Sequence, residues 1–353
     1  MSVSPFNHAW LSGLLGDDDL ALQFAPEAEH EEMVYFEEAL AAAEGAEGII
    51  PANSAEYIAE HIGGFGADFE AIAAATARDG VVVPEFVRQL REFIGTPHSQ
   101  YIHFGATSQD LIDTSLVLRL RPVLTEFQSR IEKLATALGQ LDRQFGDREI
   151  MGRTRMQDAL PIHVRDRIAA WRGPLLRDLD RLEELSPRFL VLQFGGAAGT
   201  LDKLGDKAHA VAARIAEKLD LSLPDHSWHS QRDNIVELAD WLSLVSGSLG
   251  KFGADIALMA QNRIDEIALE GTGGSSAMAH KSNPVAAETL VTLAHFNAAL
   301  VGGMHQALVH EQERSGSAWP LEWLILPQMV MATAAGLRTA STLCTQITRV
   351  GRE

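Results

Sequence analysis

The residues best suited to chemistry lie in the stretch Gly271-Thr-Gly-Gly-Ser-Ser-Ala-Met-Ala-His-Lys-Ser-Asn-Pro284. A glycine- and serine-rich loop leading into a helix offers unpaired backbone N–H groups, the positive end of a helix dipole and, here, the Lys281 ammonium. That combination suits an anion. The same composition also fits a plain interhelical connection. Only six of the 29 basic residues are lysines, so Lys281 stands out at the loop centre. A P-loop is excluded, because Gly250-Lys251 is followed by Phe252 and lacks the earlier glycine, and there is no G-x-S-x-G elbow. No metal is expected. The chain has no H-E-x-x-H, a single Glu-x-x-His (Glu27 to His30) where a di-iron bundle needs two, and a His226-x-x-His229 pair without an evident third ligand. No cofactor is expected either.

These residues need a scaffold, and the apolar periodicity describes it. Leu116, Leu120, Val123, Phe127, Ile131, Leu134, Leu138 and Leu141 recur at steps of three and four, the period of a long helix, with Pro122 expected to bend it. A stricter repeat runs Ile235, Leu238, Leu242, Val245, Leu249, Phe252, Ile256, Met259. Gly247, Gly250 and Gly253 lie within it. Each glycine costs a helix interior roughly 1 kcal/mol, which close helix–helix approach would offset. Asn283 as N-cap and Pro284 at the first helical position would open a further helix running to about Glu311, and Pro320 a last one. The segments Glu149 to Gln157 and Phe189 to Gly199 read as extended loops or a small hairpin. The expected fold is all-α: residues 98–353 form a long five-helix bundle that assembles into a tetrameric helical core.

Before the bundle, residues 1–97 are expected to form a small acidic helical domain. Its helices run roughly from Ala28 to Glu44, from Ser54 (as N-cap) to Arg78 and from Pro84 to Ile94. Met33, Phe36, Leu40 and Ala43 share one face of the first.

Composition narrows the function classes. The 353 residues carry a net charge of −19, and Met1 to Ala77 contain fifteen acidic residues with no Lys or Arg, which argues against nucleic acid as a partner. The single cysteine, Cys344, excludes an internal disulfide and points to a reducing compartment. The first twenty residues have no basic leader, and no segment is expected to reach the roughly 18 apolar residues of a membrane span. The expectation is a soluble cytoplasmic protein.

The segment GSSAMAHKSNP resembles the GSSxMPxKxNP signature of the fumarase/aspartase superfamily, with Ala279 in place of the usual proline. Two further segments fall in the order the superfamily requires: His103-Phe-Gly-Ala-Thr-Ser-Gln-Asp110, followed by Asp113-Thr114, and Gly152-Arg-Thr-Arg-Met-Gln-Asp-Ala-Leu-Pro161. Within the superfamily, Phe194-Gly-Gly-Ala-Ala-Gly-Thr-Leu201, Trp228-His-Ser-Gln-Arg-Asp233 and the stretch from His310 to Trp323 are most similar to its cycloisomerase branch. Arg155 stands where superfamily lyases such as fumarase and adenylosuccinate lyase carry a histidine, and the cycloisomerases lack that histidine too. Too little chain follows Trp323 for the superfamily's third, C-terminal helical domain, which is expected to be absent.

The resemblance implies an intramolecular addition: one carboxylate of a tricarboxylic diene closes a lactone while a proton is delivered α to another carboxylate. Family position assigns Ser275 as the proton-transferring residue, with Lys281 and Asn283 holding the carboxylate that gains charge. Arg153, Arg155, Arg232 and Arg314 are the candidates for the remaining carboxylates, since arginine grips carboxylates with two N–H groups. Thr107, Ser108 and Gln157 match carboxylate-binding positions, although Thr107 or Ser108 could equally cap a helix. His103, His229, His280 and His310 could donate to substrate or be structural. Because a forty-residue helix spans roughly 60 Å, motifs at the ends of different helices imply a homotetramer with shared sites, centred on the helix from Ile235 to Ile264. The alternatives are a C–N or C–O lyase of the same superfamily, such as an adenylosuccinate or argininosuccinate lyase, and a non-catalytic helical protein.

Overall fold

The computed structural model describes residues 3–274, 276–278 and 281–351. Two short helices, α1 (Ser12–Leu15) and α2 (Asp18–Ala21), precede the N-terminal helices α3 (Pro26–Ala46), α4 (Ala52–His61), α5 (Phe69–Asp79) and α6 (Val83–Ile94). There follow α7 (Ser108–Phe145), a hairpin of β1 (Glu149–Thr154) and β2 (Gln157–His163), α8 (Val164–Phe189), α9 (Ala208–Leu219), α10 (Asp233–Met259), β3 (Ile267–Leu269), α11 (Val285–Ala307), α12 (Ala318–Gln346) and β4 (Ile347–Val350). The five long helices α7, α8, α10, α11 and α12 are the expected all-α bundle.

The periodic residues of α10 are all buried, from Ile235 to Met259, and each such side chain contributes on the order of 1.5–3 kcal/mol. Its glycines have the anticipated cause at two positions. A Cβ on Gly253 would sit 2.4 Å from the Ala287 carbonyl oxygen, and one on Gly250 would sit 2.5 Å from Ala294 Cβ, so α11 lies directly against that face. Met33, Phe36, Leu40 and Ala43 of α3 are buried as expected, and they join the bundle in one continuous apolar cluster that also takes in Val350.

Several local expectations need correction. Ser54 does not cap a helix: Pro51 occupies that position, Ser54 is buried inside α4, and the long 54–78 pattern breaks at Ile62–Gly64. Pro284, not Asn283, is the cap of α11, because Asn283 is held outside it by paired backbone hydrogen bonds to Gly273 (2.9 and 2.8 Å). The helix ends at Ala307 rather than near Glu311. One segment, α11, does reach the length and apolarity of a membrane span, with a mean hydropathy of 1.3. Its one buried amide, Asn297, binds Ser246, Thr333 and the Met329 carbonyl within the bundle, whereas Ala298, Ala299 and Gly302 stay exposed. Cys344, on α12, is buried, and burial pushes its thiol up to about 12.

Successive long helices run antiparallel, so the bundle has two distinct ends. The starts of α7, α10 and α12 share one end, because Arg232, capping α10, reaches both Asp113 and Glu322. The β1–β2 hairpin, the β3–β4 ribbon and the 271–284 loop share the other: Arg153 pairs with Glu266, and the Glu270 N–H donates to Gln346 O. At 1.5 Å per residue, the 38 residues of α7 put about 57 Å between these ends.

Candidate active site

At the first end, the chain turns sharply before α7. Thr107 caps that helix in a capping box with Asp110, whose Oδ2 accepts the Thr107 N–H at 2.9 Å. The fully buried Asp110 carboxylate also accepts the Gly195 and Gly196 N–H groups (2.8 and 2.9 Å) and lies 2.7 Å from His229 Nε2. Four donors from three segments therefore converge on one carboxylate. The glycines allow it: a Cβ on Gly195 would come within 2.9 Å of His229 Cε1, and one on Gly196 within 2.7 Å of the Gly105 carbonyl oxygen. Thr107 thus has the capping role that its position allowed, and Ser108 begins the helix beside it.

His103 precedes this turn in the left-handed region, at φ 58°, a conformation that costs a non-glycine residue on the order of 1 kcal/mol or more. Glu37 holds it from α3, accepting the His103 N–H at 3.0 Å and meeting ring Nδ1 at 2.5 Å. Behind Glu37 lies Glu44, with both carboxyl oxygens buried and without a hydrogen-bond partner among the described residues. Burial, reinforced by the charge of Glu37, pushes the Glu44 carboxyl up to about 9, so it is neutral at pH 7.

Arg314 reaches the same end. Its Nε donates to Gln109 Oε1 at 2.9 Å and one Nη to the Ala197 carbonyl oxygen at 3.4 Å, and among the described residues it makes no ion pair, so no carboxylate there neutralises the guanidinium. Gln109 is itself fixed by donating to the His229 carbonyl oxygen (2.9 Å) and Asp113 (3.1 Å). Arg232 is different, and its expected role as a carboxylate binder is corrected. The side chain has no exposure, and its Nε, Nη1 and Nη2 are all spent on Glu322, Asp113 and the Trp228 carbonyl oxygen. Burial opposes the charge, but the two carboxylates outweigh it and hold the guanidinium above its ordinary value. His310 lies 3.6 Å from Glu322, with no exposed side-chain surface.

The opposite end holds the remaining candidates. Arg155 and Met156 form the two-residue tip of the hairpin, both at positive φ (50° and 66°), the turn type that matches strand twist. Arg155 and Gln157 are exposed there. Arg153 is engaged by Glu266 (2.7 Å) and Asp158 (2.9 Å), so it positions the hairpin rather than offering an open guanidinium. Lys281 is exposed and makes no ion pair among the described residues. Asn283 donates its amide to the Gly274 carbonyl oxygen at 3.1 Å, tying the two sides of the loop together. Ser275 and His280 lie outside the described residues.

One chain therefore brings His103, Thr107, Ser108 and Arg314 to one end and Arg153, Arg155, Gln157, Lys281 and Asn283 to the other. Sequence reasoning assigned no role to Glu37, Gln109, Asp113, Glu266 or Glu322. Two of them left a signal: Glu37 interrupts the apolar stripe of α3 between Met33 and Leu40, and Asp113 is a carboxylate on a helix face otherwise buried.

The five long helices with polar turns at both ends of the bundle define an all-α helical-bundle protein. The sequence matches the family described as Lyase over residues 18–298. It is 41% identical over 314 residues to 3-carboxy-cis,cis-muconate cycloisomerase of Pseudomonas aeruginosa, covering 87% of this chain and 68% of that protein. The relative of the same name from Pseudomonas putida is 41% identical over 317 residues, 88% of this chain and 75% of that one. The crystal structure of 3-carboxy-cis,cis-muconate lactonizing enzyme from Pseudomonas putida superposes with a TM-score of 0.91 at 38% identity, covering 97% of this chain and 78% of that one. The chain belongs to the fumarase/aspartase superfamily of lyases.

Proposed function

We propose that this chain is a cycloisomerase that lactonizes 3-carboxy-cis,cis-muconate to 4-carboxymuconolactone. The observation that carries the reading is the 41% identity, across 87% of the chain, to a relative named for that substrate. In the reaction, a carboxylate oxygen attacks an alkene carbon and the C–O bond forms. The π electrons move toward the carbon α to another carboxylate, giving an aci-carboxylate, and a proton then reaches that carbon. The developing dianion is the hard part, and preorganised donors around it supply the largest share of the rate. Lys281 and the first turn of α11 offer a charge and a dipole for it, and Ser275 is the proposed proton carrier. Arg314, Thr107 and Ser108 take a second carboxylate; Arg155 and Gln157 take the third.

Because those groups lie about 57 Å apart in one chain, the proposed site is built from more than one copy, in a homotetramer. The Gly250 and Gly253 face of α10, expected at the tetramer centre, packs instead on α11 of the same chain; the apolar surface of α11, with Ala298, Ala299 and Gly302 exposed, is the face proposed to meet the other copies. The test is an ultraviolet assay following loss of diene absorbance with 3-carboxy-cis,cis-muconate, run beside adenylosuccinate and fumarate. Turnover of the triacid alone supports the reading, and preference for either of the others overturns it. Ser275→Ala should abolish turnover with the fold intact; retained turnover would remove Ser275 from the mechanism.

A further inference from the structure

We infer that Glu37 is a positioning residue that acts through His103, fixing the tautomer and direction of that imidazole at the turn leading to Thr107. The inference rests on placing the Thr107 end within the active site. Glu37 projects from α3 into the protein, 1% exposed, and its two oxygens are divided between one residue's backbone and side chain: Oε2 accepts the His103 N–H and Oε1 meets ring Nδ1. A carboxylate can only accept, so Nδ1 carries the hydrogen and Nε2 is the ring atom left for another partner. No hydrogen bond joins Nε2 to any described residue. The grip also holds the ring on a backbone at φ 58°, and strained conformations of this kind persist only where the surroundings over-determine them.

A second carboxylate–histidine pair sits on the other side of the same turn and sharpens the assignment. His229 gives Nε2 to Asp110, and its other nitrogen, Nδ1, is enclosed and has no hydrogen-bond partner among the described residues. His103 keeps 11% of its side chain exposed, and its Nε2 is not among the enclosed polar atoms. Of the two pairs, then, only Glu37–His103 presents a ring edge outward. Thr107 and Ser108 follow His103 within five residues at the same turn, and Arg314 is tied to that end through Gln109; these are the groups assigned to a substrate carboxylate. An imidazole aimed there by a buried carboxylate supplies a directed hydrogen bond to the same anion. Losing such a partner typically lowers activity 10- to 100-fold, because the ring can turn or take the other tautomer.

The experiment uses the full chain labelled with ¹⁵N-histidine. Long-range proton–nitrogen spectra are recorded at alkaline pH, where the imidazole is neutral, and His103→Gln identifies the signal. The inference expects hydrogen on Nδ1 and a bare Nε2 in the unaltered protein. Glu37→Gln, whose amide can donate to the ring, is expected to move the hydrogen to Nε2 and lower kcat about 10- to 100-fold with a smaller change in KM. Glu37→Asp should restore the tautomer and part of the rate. An Nε2-protonated His103 in the unaltered protein overturns the inference even if Glu37→Gln fails to fold, as does a Glu37→Gln protein with unchanged tautomer and kcat. Absence of turnover with the triacid would sink the proposed substrate instead, and the spectra would still decide the tautomer.

Discussion

Arg232 and Asp113 meet at 2.6 Å in a compartment without exposed surface, and Glu322 closes on the guanidinium from the other side at the same distance. The pair joins the starts of α7, α10 and α12, so it acts as a fastener for the end of the bundle that carries Thr107 and Arg314. Removing the cation would leave two carboxylates buried together. Arg232→Met is expected to lower stability by about 3–5 kcal/mol in urea denaturation. A loss below about 1 kcal/mol would mean that the cluster is open to water and that Arg232 is free to bind a ligand after all.

Close packing of α10 on α11 makes a second prediction. Gly253→Ala places a methyl 2.4 Å from the Ala287 carbonyl oxygen and should cost about 1–3 kcal/mol, because backbone cannot turn aside as a side chain can. Gly247 has nothing within 4 Å of its added carbon, and Gly247→Ala should raise helix stability by up to about 1 kcal/mol in the isolated chain. Thermal unfolding of the two variants, side by side, tests the contrast.

Glu44 gives the stability a pH dependence of known sign. Its folded pKa, about 9, lies above the ordinary value of 4.5, so the folded state holds a proton that the unfolded chain releases first. Its contribution is complete below about pH 4.5 and is lost as pH rises toward 9, with a slope of up to about 1.4 kcal/mol per pH unit. Glu44→Gln should flatten that decline and be the more stable protein at pH 8.5. Equal slopes in the two proteins, measured by denaturation at several pH values, would contradict a neutral Glu44.

The separation of the two bundle ends predicts complementation. Thr107→Val and Arg155→Ala are each expected to be nearly inactive, since every assembled site would lack one group. Subunits mixed by mild dissociation and reassociation should recover part of the activity, because some sites then draw both groups from unaltered copies. A mixture no better than its components would overturn a site shared between copies.

Much of the scaffold was legible in the sequence because it obeys simple periods. The α10 repeat from Ile235 to Met259 and the α7 repeat from Leu116 to Leu141 are buried where a 3.6-residue period places them. Boundaries were less legible. Asn283 looks like a cap by type, but its backbone is engaged with Gly273, a pairing between residues ten positions apart that no local preference encodes. Site chemistry was readable as residue types and unreadable as partnerships. Arg232 and Arg314 both lie in matched segments, yet one is saturated by Asp113 and Glu322 while the other meets no carboxylate among the described residues. That difference arises from helices far apart in sequence. The role of Glu37 was hidden likewise, since its partner His103 lies in another element.

The lone thiol on α12 turns the molecule into its own reporter. Packed away and held up to about 12, Cys344 should ignore an aromatic disulfide reagent in the native protein and colour it at once when α12 comes loose. The rate of that colour change would time the opening of the bundle without any label being attached.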